Sequence, residues 1–181
     1  MAKNIKVSLT EGTDENMTLS ESSLGTLYQS AVAAFPNTTM RQHATGPIQI
    51  DEIRATPFLG MNTLLLRCQA TNANKVYRPV ILFRNVNFEG KGANIIAADN
   101  NQSYDFNPLS EMMTDTRVRC SCGDHFWRAQ YANWLDTSLY GSNRKPYENN
   151  GGAPANPTDA PMLCKHLMKF MEQLRLDGII K

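Results

Sequence analysis

The chain has 181 residues, of which 41% are hydrophobic and 19% are charged; this length suits one domain, and this composition excludes a wholly disordered chain. The 18 basic and 17 acidic residues leave a formal charge of +1, so the sequence lacks the basic excess that favours nucleic-acid binding. No apolar run reaches the ~20 residues that span a bilayer, and the N-terminal stretch has no apolar signal core, so we expect a soluble chain that is not exported by the general signal route and has no membrane partner.

The first 110 residues are predicted to be rich in β-structure, with one helix. Apolar residues at helical spacing predict a helix over 20–35, with Ser20 as its N-cap and Pro36 as its stop. Polar residues over 99–115 predict an irregular segment. Alternating or β-branched stretches predict strands over 4–9, 47–54, 63–70, 77–88 and 94–98, of which the third and fourth form a hairpin.

The segment after residue 115 begins with a strand that carries two thiols. Strict alternation over 116–122 places Cys120 and Cys122 on the same side of the chain. The next apolar residues, from Trp127 to Leu135, are mainly aromatic and follow near-helical spacing, which predicts a short helix. Aromatic side chains in such a pattern favour a place in the core over an exposed binding surface. Cys68 is likewise expected to be a small core residue, because it shares a strand face with leucines.

A long connector and a second helix complete the chain. Residues 140–161 hold three Gly and four Pro, which predicts a connector without regular structure. Leucine, phenylalanine and methionine at helical spacing predict a helix over 163–176. We therefore expect a single α+β domain over 1–181, an antiparallel sheet with a few helices. It divides into a β-rich part, 1–110, and a metal-binding part, 111–181.

Two short residue pairs carry the chemistry of this sequence: Cys120-Ser-Cys122 and Cys164-Lys-His166. Together they supply three thiolates and one imidazole, the donor set of a closed tetrahedral structural zinc site. Four protein ligands leave no open position for water, so we expect no enzymatic activity. Alternatives remain at this point: an iron–sulfur cluster, four unrelated side chains, or a site in which His125 replaces His166.

The C-x-C and C-x-H pairs resemble the signature of the SWIM zinc finger. The residues around them, CSCGDHF and MLCKHLM, are also similar to the residues around the ligands in that family. This resemblance implies zinc ligation by Cys120, Cys122, Cys164 and His166. It also implies a ββα-like arrangement, here with a long insertion between the two pairs. A SWIM-type module that binds nucleic acid or protein is the alternative function.

The wider layout is similar to a group of small virion proteins of tailed bacteriophages. The shared features are a β-rich first part, an RCSC strand, a Gly/Pro/Asn-rich insertion and a P-x-L-C-K-H-L helix. The resemblance implies a baseplate or neck component, assembled in the host cytoplasm with other virion proteins in a multi-copy assembly. The insertion is expected to be mobile in the free protein and ordered by a neighbouring subunit, with Tyr140, Arg144 and Tyr147 as anchors.

Overall fold

The structure, a computed structural model, describes residues 22–36, 45–142 and 154–181. Within these ranges the helices are α1 (Leu24–Ala34), α2 (Gln130–Leu135) and α3 (Lys165–Leu176), with a 3-10 turn at Leu59–Met61 and a π-helix at His125–Ala129. The strands are β1 (Gln49–Phe58), β2 (Thr63–Asn72), β3 (Lys75–Tyr77), β4 (Val80–Phe83), β5 (Ala93–Ile96), β6 (Ser103–Phe106) and β7 (Thr116–Arg119). The α+β fold expected from the sequence is confirmed.

The main sheet is antiparallel and leads directly to the candidate site. Its strands follow the order β1-β2-β4-β7, and β3 pairs with the far end of β2, while β5 and β6 form a separate hairpin. Strand β7 pairs with β4 and is flanked on its other side by the segment around Leu139. Cys68 on β2 is buried in the core, as expected. Of the described helices, none is both long and apolar enough to cross a membrane.

Helix α1 begins later than the sequence suggests. Its N-cap is Ser23 rather than Ser20, and the Ser23 hydroxyl accepts a hydrogen bond from the Thr26 amide (3.2 Å). Thr26 in turn accepts from the Ser23 amide (3.1 Å), so the two side chains form a reciprocal capping box. Ser20 has the same intrinsic preference for an N-cap position, so the sequence alone does not select Ser23.

Two strand predictions also need correction. The predicted strand 77–88 is broken at Pro79, which lies between β3 and β4 and has no amide proton for a ladder. The segment 99–115, predicted to be irregular, contains strand β6, which pairs with β5. This strand has only four residues, and an alternating pattern of that length cannot be distinguished from a loop in the sequence. The strand predicted over 4–9 lies outside the described residues.

The buried face of α3 joins the C-terminal part of the chain to the rest of the molecule. Leu167, Phe170 and Leu174 are fully buried, and the helix packs against β1 and β2. These side chains belong to the same buried cluster as Phe83 of β4 and Phe106 of β6. Residues from both sides of position 110 therefore share one hydrophobic core, and this core fixes where α3 begins relative to the end of β7.

The aromatic helix does not place its aromatic stripe in the core, so that expectation is wrong. Trp127 is 48% exposed and Trp134 is 40% exposed. The buried face of the π-helix and α2 consists instead of His125, Ala129 and Asn133, with Gln130 and Ala132. The π-helical turn has a wider helical period than the regular 3.6 residues, so a stripe counted at regular spacing does not follow the face that packs.

Candidate metal centre

Four side chains converge where the end of β7 meets the start of α3. Cys120 follows β7 directly, Cys122 lies two residues later, Cys164 is the N-cap of α3 and His166 is the second residue of that helix. Their donor atoms all lie within 4.8 Å of one another, and all four side chains are buried. The structure thus brings together the four residues that the two sequence pairs predict as ligands.

The Cys-x-Cys turn is held by the segment between β3 and β4. The Arg78 amide donates a hydrogen bond to the Ser121 hydroxyl (2.9 Å). The preceding residue, Tyr77, packs its ring against the imidazole of His166 at a centroid distance of 4.1 Å. One short segment of the first half therefore contacts both ligand pairs. Strands β4 and β7 pair with each other, but the π-helix and α2 intervene between β7 and α3 in the chain.

The three thiols at this site form hydrogen bonds with one another. Hydrogen bonds from the Cys120 and Cys164 thiols lower the pKa of Cys122. The same hydrogen bond to Cys122 raises the pKa of Cys120, and burial raises that of Cys164. The His125 amide also donates to the Cys122 sulfur (3.3 Å), which favours the thiolate form. These hydrogen bonds favour the thiolate form of Cys122 over the thiolate forms of Cys120 and Cys164.

The donor set fits a metal ion. All four cysteines of the chain are free thiols, and three of them lie together here. Both ring nitrogens of His166 are buried without a hydrogen-bond partner. Such an imidazole is rare in a folded protein, because an unpaired buried polar atom is destabilising. A cation bound by one of these nitrogens and by the three thiolates provides that nitrogen with a partner.

His125 is placed differently from His166, although both are buried. It lies on the π-helix, and its side chain is not among the donors within 4.8 Å of one another. Burial lowers the pKa of His125 to about 4, so the ring is neutral at physiological pH. Its contact with the cluster is through its backbone amide. The choice between the two histidines, open in the sequence, thus falls to His166 in the structure.

This placement predicts an order of effects for the two histidines. We expect His166→Ala to lower zinc occupancy more strongly than His125→Ala, because only the first removes a donor atom. Zinc per chain is measured by inductively coupled plasma mass spectrometry after dialysis against a weak chelator. A larger loss of zinc in His125→Ala would reassign the fourth ligand.

Two residues at the site carry no sequence signal. Tyr77 is far from the ligands along the chain, and nothing in its own strand indicates a stacking role. Asp124 lies next to the cluster on the first helical turn, and its Oδ1 is 3.4 Å from the Arg128 guanidinium. Burial raises the pKa of Asp124, and its Oδ2 has no hydrogen-bond partner.

The described part of the insertion contacts the π-helix. Asn156 is buried, and its Nδ2 donates to the backbone oxygens of Arg128 and Ala160 (both 2.9 Å). Part of the insertion that we expected to be mobile in the free protein is therefore held by hydrogen bonds at Asn156. Tyr140 is held by its backbone, since its amide donates to Val118 (3.0 Å) and its carbonyl accepts from Arg119 (2.6 Å). Arg144 and Tyr147 lie outside the described residues.

The arrangement shows a buried Cys3His cluster that can hold one metal ion. Its four protein donors leave no coordination position for a substrate, which is typical of structural sites. Comparison with protein-family models, with curated proteins and with solved structures finds no match to this chain. The functional interpretation therefore depends on the geometry and the sequence pattern of the chain itself.

Proposed function

We propose that this chain is a structural protein of a tailed-phage virion, in the tail baseplate or, second, in the neck, and that a zinc ion at the Cys3His cluster stabilises it. The observation that carries the proposal is the buried four-donor cluster, built from the two pairs that resemble the SWIM signature. In this role the metal has no catalytic task. It holds the end of β7 and the start of α3 together.

Zinc fits the spacing of the cluster better than an iron–sulfur centre does. Zinc–sulfur bonds are ~2.3 Å long, so two sulfurs on one ion are at most ~4.6 Å apart. The observed donors lie within 4.8 Å of one another, close to that limit. An iron–sulfur cluster inserts several atoms between its cysteine ligands, and this requires a wider opening. The metal-binding part of the proposal is therefore a mononuclear zinc site.

The exposed aromatic surface favours a role in assembly. Trp127, Trp134 and Leu135 all have exposed side chains on the π-helix and α2, close to the cluster in the chain. The rings of Tyr131 and Trp134 lie 5.8 Å apart. Tryptophan and tyrosine are enriched at protein interfaces, whereas clustered exposed aromatics are unusual on a monomeric surface. Contacts with other virion proteins in a multi-copy assembly account for this surface.

Basic side chains near the site favour protein partners over nucleic acid. The guanidinium of Arg117 donates to the Thr137 carbonyl, and that of Arg119 donates to the Tyr140 and Ser142 carbonyls. Both guanidinium groups thus stabilise the neighbouring chain segments. The guanidinium of Arg175 forms an ion pair with the Glu111 carboxylate at an N–O distance of 2.6 Å. Phosphate binding depends on cations that are free to contact the backbone of the nucleic acid.

The proposal predicts one zinc per chain and incorporation into particles. Native mass spectrometry of the purified full chain should show one bound zinc ion. Quantitative mass spectrometry of purified phage particles should find the chain at a fixed ratio to the other virion proteins. A chain found only in the soluble lysate contradicts the virion role, and salt-resistant binding to DNA in a titration from low salt supports the SWIM-type nucleic-acid module instead.

A further inference from the structure

We propose that the main sheet carries a binding site for a single carboxylate group, formed by the guanidinium groups of Arg54, Arg67 and Arg78. These three side chains line a groove of about 520 Å³ along strands β1, β2 and β4, which we call the arginine groove. None of the four metal-binding side chains lines it. The inference goes beyond the proposed function and does not depend on zinc.

The register of the sheet places the arginines on one face. Arg54 of β1 lies directly opposite Arg67 of β2, and Arg67 lies opposite Val80 of β4. The neighbouring residue Leu66 is fully buried in the core. Because successive side chains of a strand alternate between faces, Arg67 points to the side away from this core. Arg78 comes two residues before Val80 and lines the same groove.

The opposed pair of Arg54 and Arg67 is unfavourable in the free protein. Directly opposite residues on antiparallel strands have Cβ atoms ~4.5–5.5 Å apart, and like charges at such positions destabilise a sheet. Arg54 has an ion-pair partner in Glu52 at 3.4 Å. The guanidinium of Arg67 reaches only the Thr56 hydroxyl, at 3.5 Å. An anion bound by both guanidinium groups offsets their repulsion, so the pairing itself favours an anionic ligand.

Arg78 adds a third cation to the groove. Its backbone amide donates to the Ser121 hydroxyl, but its guanidinium forms no hydrogen bond or ion pair within the described part of the chain. An unpaired guanidinium can donate the two parallel hydrogen bonds with which arginine binds a carboxylate. The groove therefore offers free donors in addition to positive charge.

A β-bulge in β1 shapes the edge of the groove. The pairing register shifts between Asp51 and Arg54, and Glu52 within the bulge has φ of 50°, in the left-handed region. This conformation is strained for a residue other than glycine, and bulges commonly redirect side chains at functional sites. The Glu52 carboxylate accepts a hydrogen bond from the Gln69 amide (2.6 Å). The bulge thus brings one carboxylate to the groove beside Arg54.

The charge of the groove fits one carboxylate better than a phosphate or a nucleic acid. The three arginines are opposed by the carboxylates of Glu52 and Asp99, so the lining carries one net positive charge. A single carboxylate neutralises it, whereas a phosphate group or a polynucleotide brings more negative charge next to these two acidic residues. The lining also includes Pro79, Val80 and Ala98, which offer apolar contacts. The ligand class is therefore a carboxylate on an apolar body, either a free acid or an acidic side chain of a peptide.

The test titrates the full chain and follows the arginine side-chain N–H signals by nuclear magnetic resonance. The probes are butyrate, a blocked tripeptide with one central glutamate, inorganic phosphate and a single-stranded DNA oligonucleotide. The signals of Arg67 and Arg78 should shift to saturation with one carboxylate probe per chain. Butyrate alone assigns a free acid, the tripeptide alone assigns an acidic side chain, and binding of both shows that the carboxylate suffices. Tighter binding of phosphate or DNA, or no saturable binding of either carboxylate, overturns the inference.

Three variants locate the binding. Arg67→Gln and Arg78→Gln should each weaken carboxylate binding by ~10-fold or more, because each removes charge-assisted hydrogen bonds. Arg84→Gln is the matched control. Arg84 directly follows β4, forms an ion pair with Asp115 at 3.0 Å and does not line the groove, so this variant should bind as the original chain does. Unchanged binding in Arg67→Gln, or an equal loss in Arg84→Gln, would show that the groove is not the site.

Thermal unfolding provides a second readout, which a purely structural arginine would not move in the same direction. Without ligand and at low salt, Arg67→Gln should melt at a higher temperature than the original chain, because it removes one of two opposed like charges. High salt should reduce this difference by screening. Saturating ligand should reverse the order, because it stabilises the chain that binds it. A lower melting temperature of Arg67→Gln without ligand at low salt contradicts the repulsion on which the inference depends.

Discussion

Cys164→Ser is expected to lose its zinc and at least ~4 kcal/mol of its free energy of unfolding. The Cys164 thiol is fully buried at the N-cap of α3 and contacts the cysteines that follow β7. Its loss opens the site and removes the covalent link through the ion between two distant segments. Because such a site rarely exists in an unfolded chain, its binding energy contributes directly to folding. Urea denaturation in the presence of zinc measures the effect, with Cys122→Ser expected to behave alike.

Cys68→Ser is the matched control, because it makes the same atomic change at the remaining buried cysteine. Cys68 lies in the hydrophobic core and is not one of the four converging donors, and burial raises the pKa of its thiol to about 12. This variant should keep one zinc per chain and lose only ~1–3 kcal/mol, the penalty for burying a hydroxyl without a good partner. A strong chelator should lower the melting temperature of Cys68→Ser and leave that of Cys164→Ser unchanged. Equal zinc content in Cys164→Ser and the original chain would contradict the four-ligand assignment.

The ligand set was predictable because each of its halves is local. Cys120 and Cys122 are two residues apart at a strand end, and Cys164 and His166 are two residues apart at a helix start. In both cases secondary structure alone directs the side chains. The sequence left His125 as an alternative because residue spacing alone does not show in which direction the His125 side chain points. The π-helix resolves that choice by burying the His125 ring away from the other donors.

The surroundings of the site were not predictable in the same way. The stacking of Tyr77 on His166 depends on the pairing of β3 with β2, a tertiary contact between segments with no shared pattern. The exposure of Trp127 and Trp134 depends on a helical period that is wider than usual in a single turn. The sequence suggests that Asp124 is an ordinary surface carboxylate, and only the structure shows that its Oδ2 is buried.

Asn133 is the residue outside the cluster whose substitution should affect the site most. It is fully buried on α2, and its side chain forms two hydrogen bonds with the backbone of Met162. Oδ1 accepts from the Met162 amide (2.7 Å), and Nδ2 donates to the Met162 carbonyl (3.0 Å). Met162 comes two residues before Cys164. Asn133 therefore holds the chain in place at the end of the insertion, just before the second pair of ligands.

Asn133→Ala should destabilise the protein by about 2–4 kcal/mol, because it leaves a buried amide and a buried carbonyl of Met162 without partners. It should also weaken zinc binding, since folding and metal binding are linked at such a site. Asn94→Ala is the control: Asn94 is exposed and also forms two side-chain hydrogen bonds, with Ser103 and Asp105. That variant should stay within about 0.5 kcal/mol of the original chain. Urea denaturation and chelator competition on both variants measure the difference, and equal stability of the two would show that the Met162 contacts do not position the ligands.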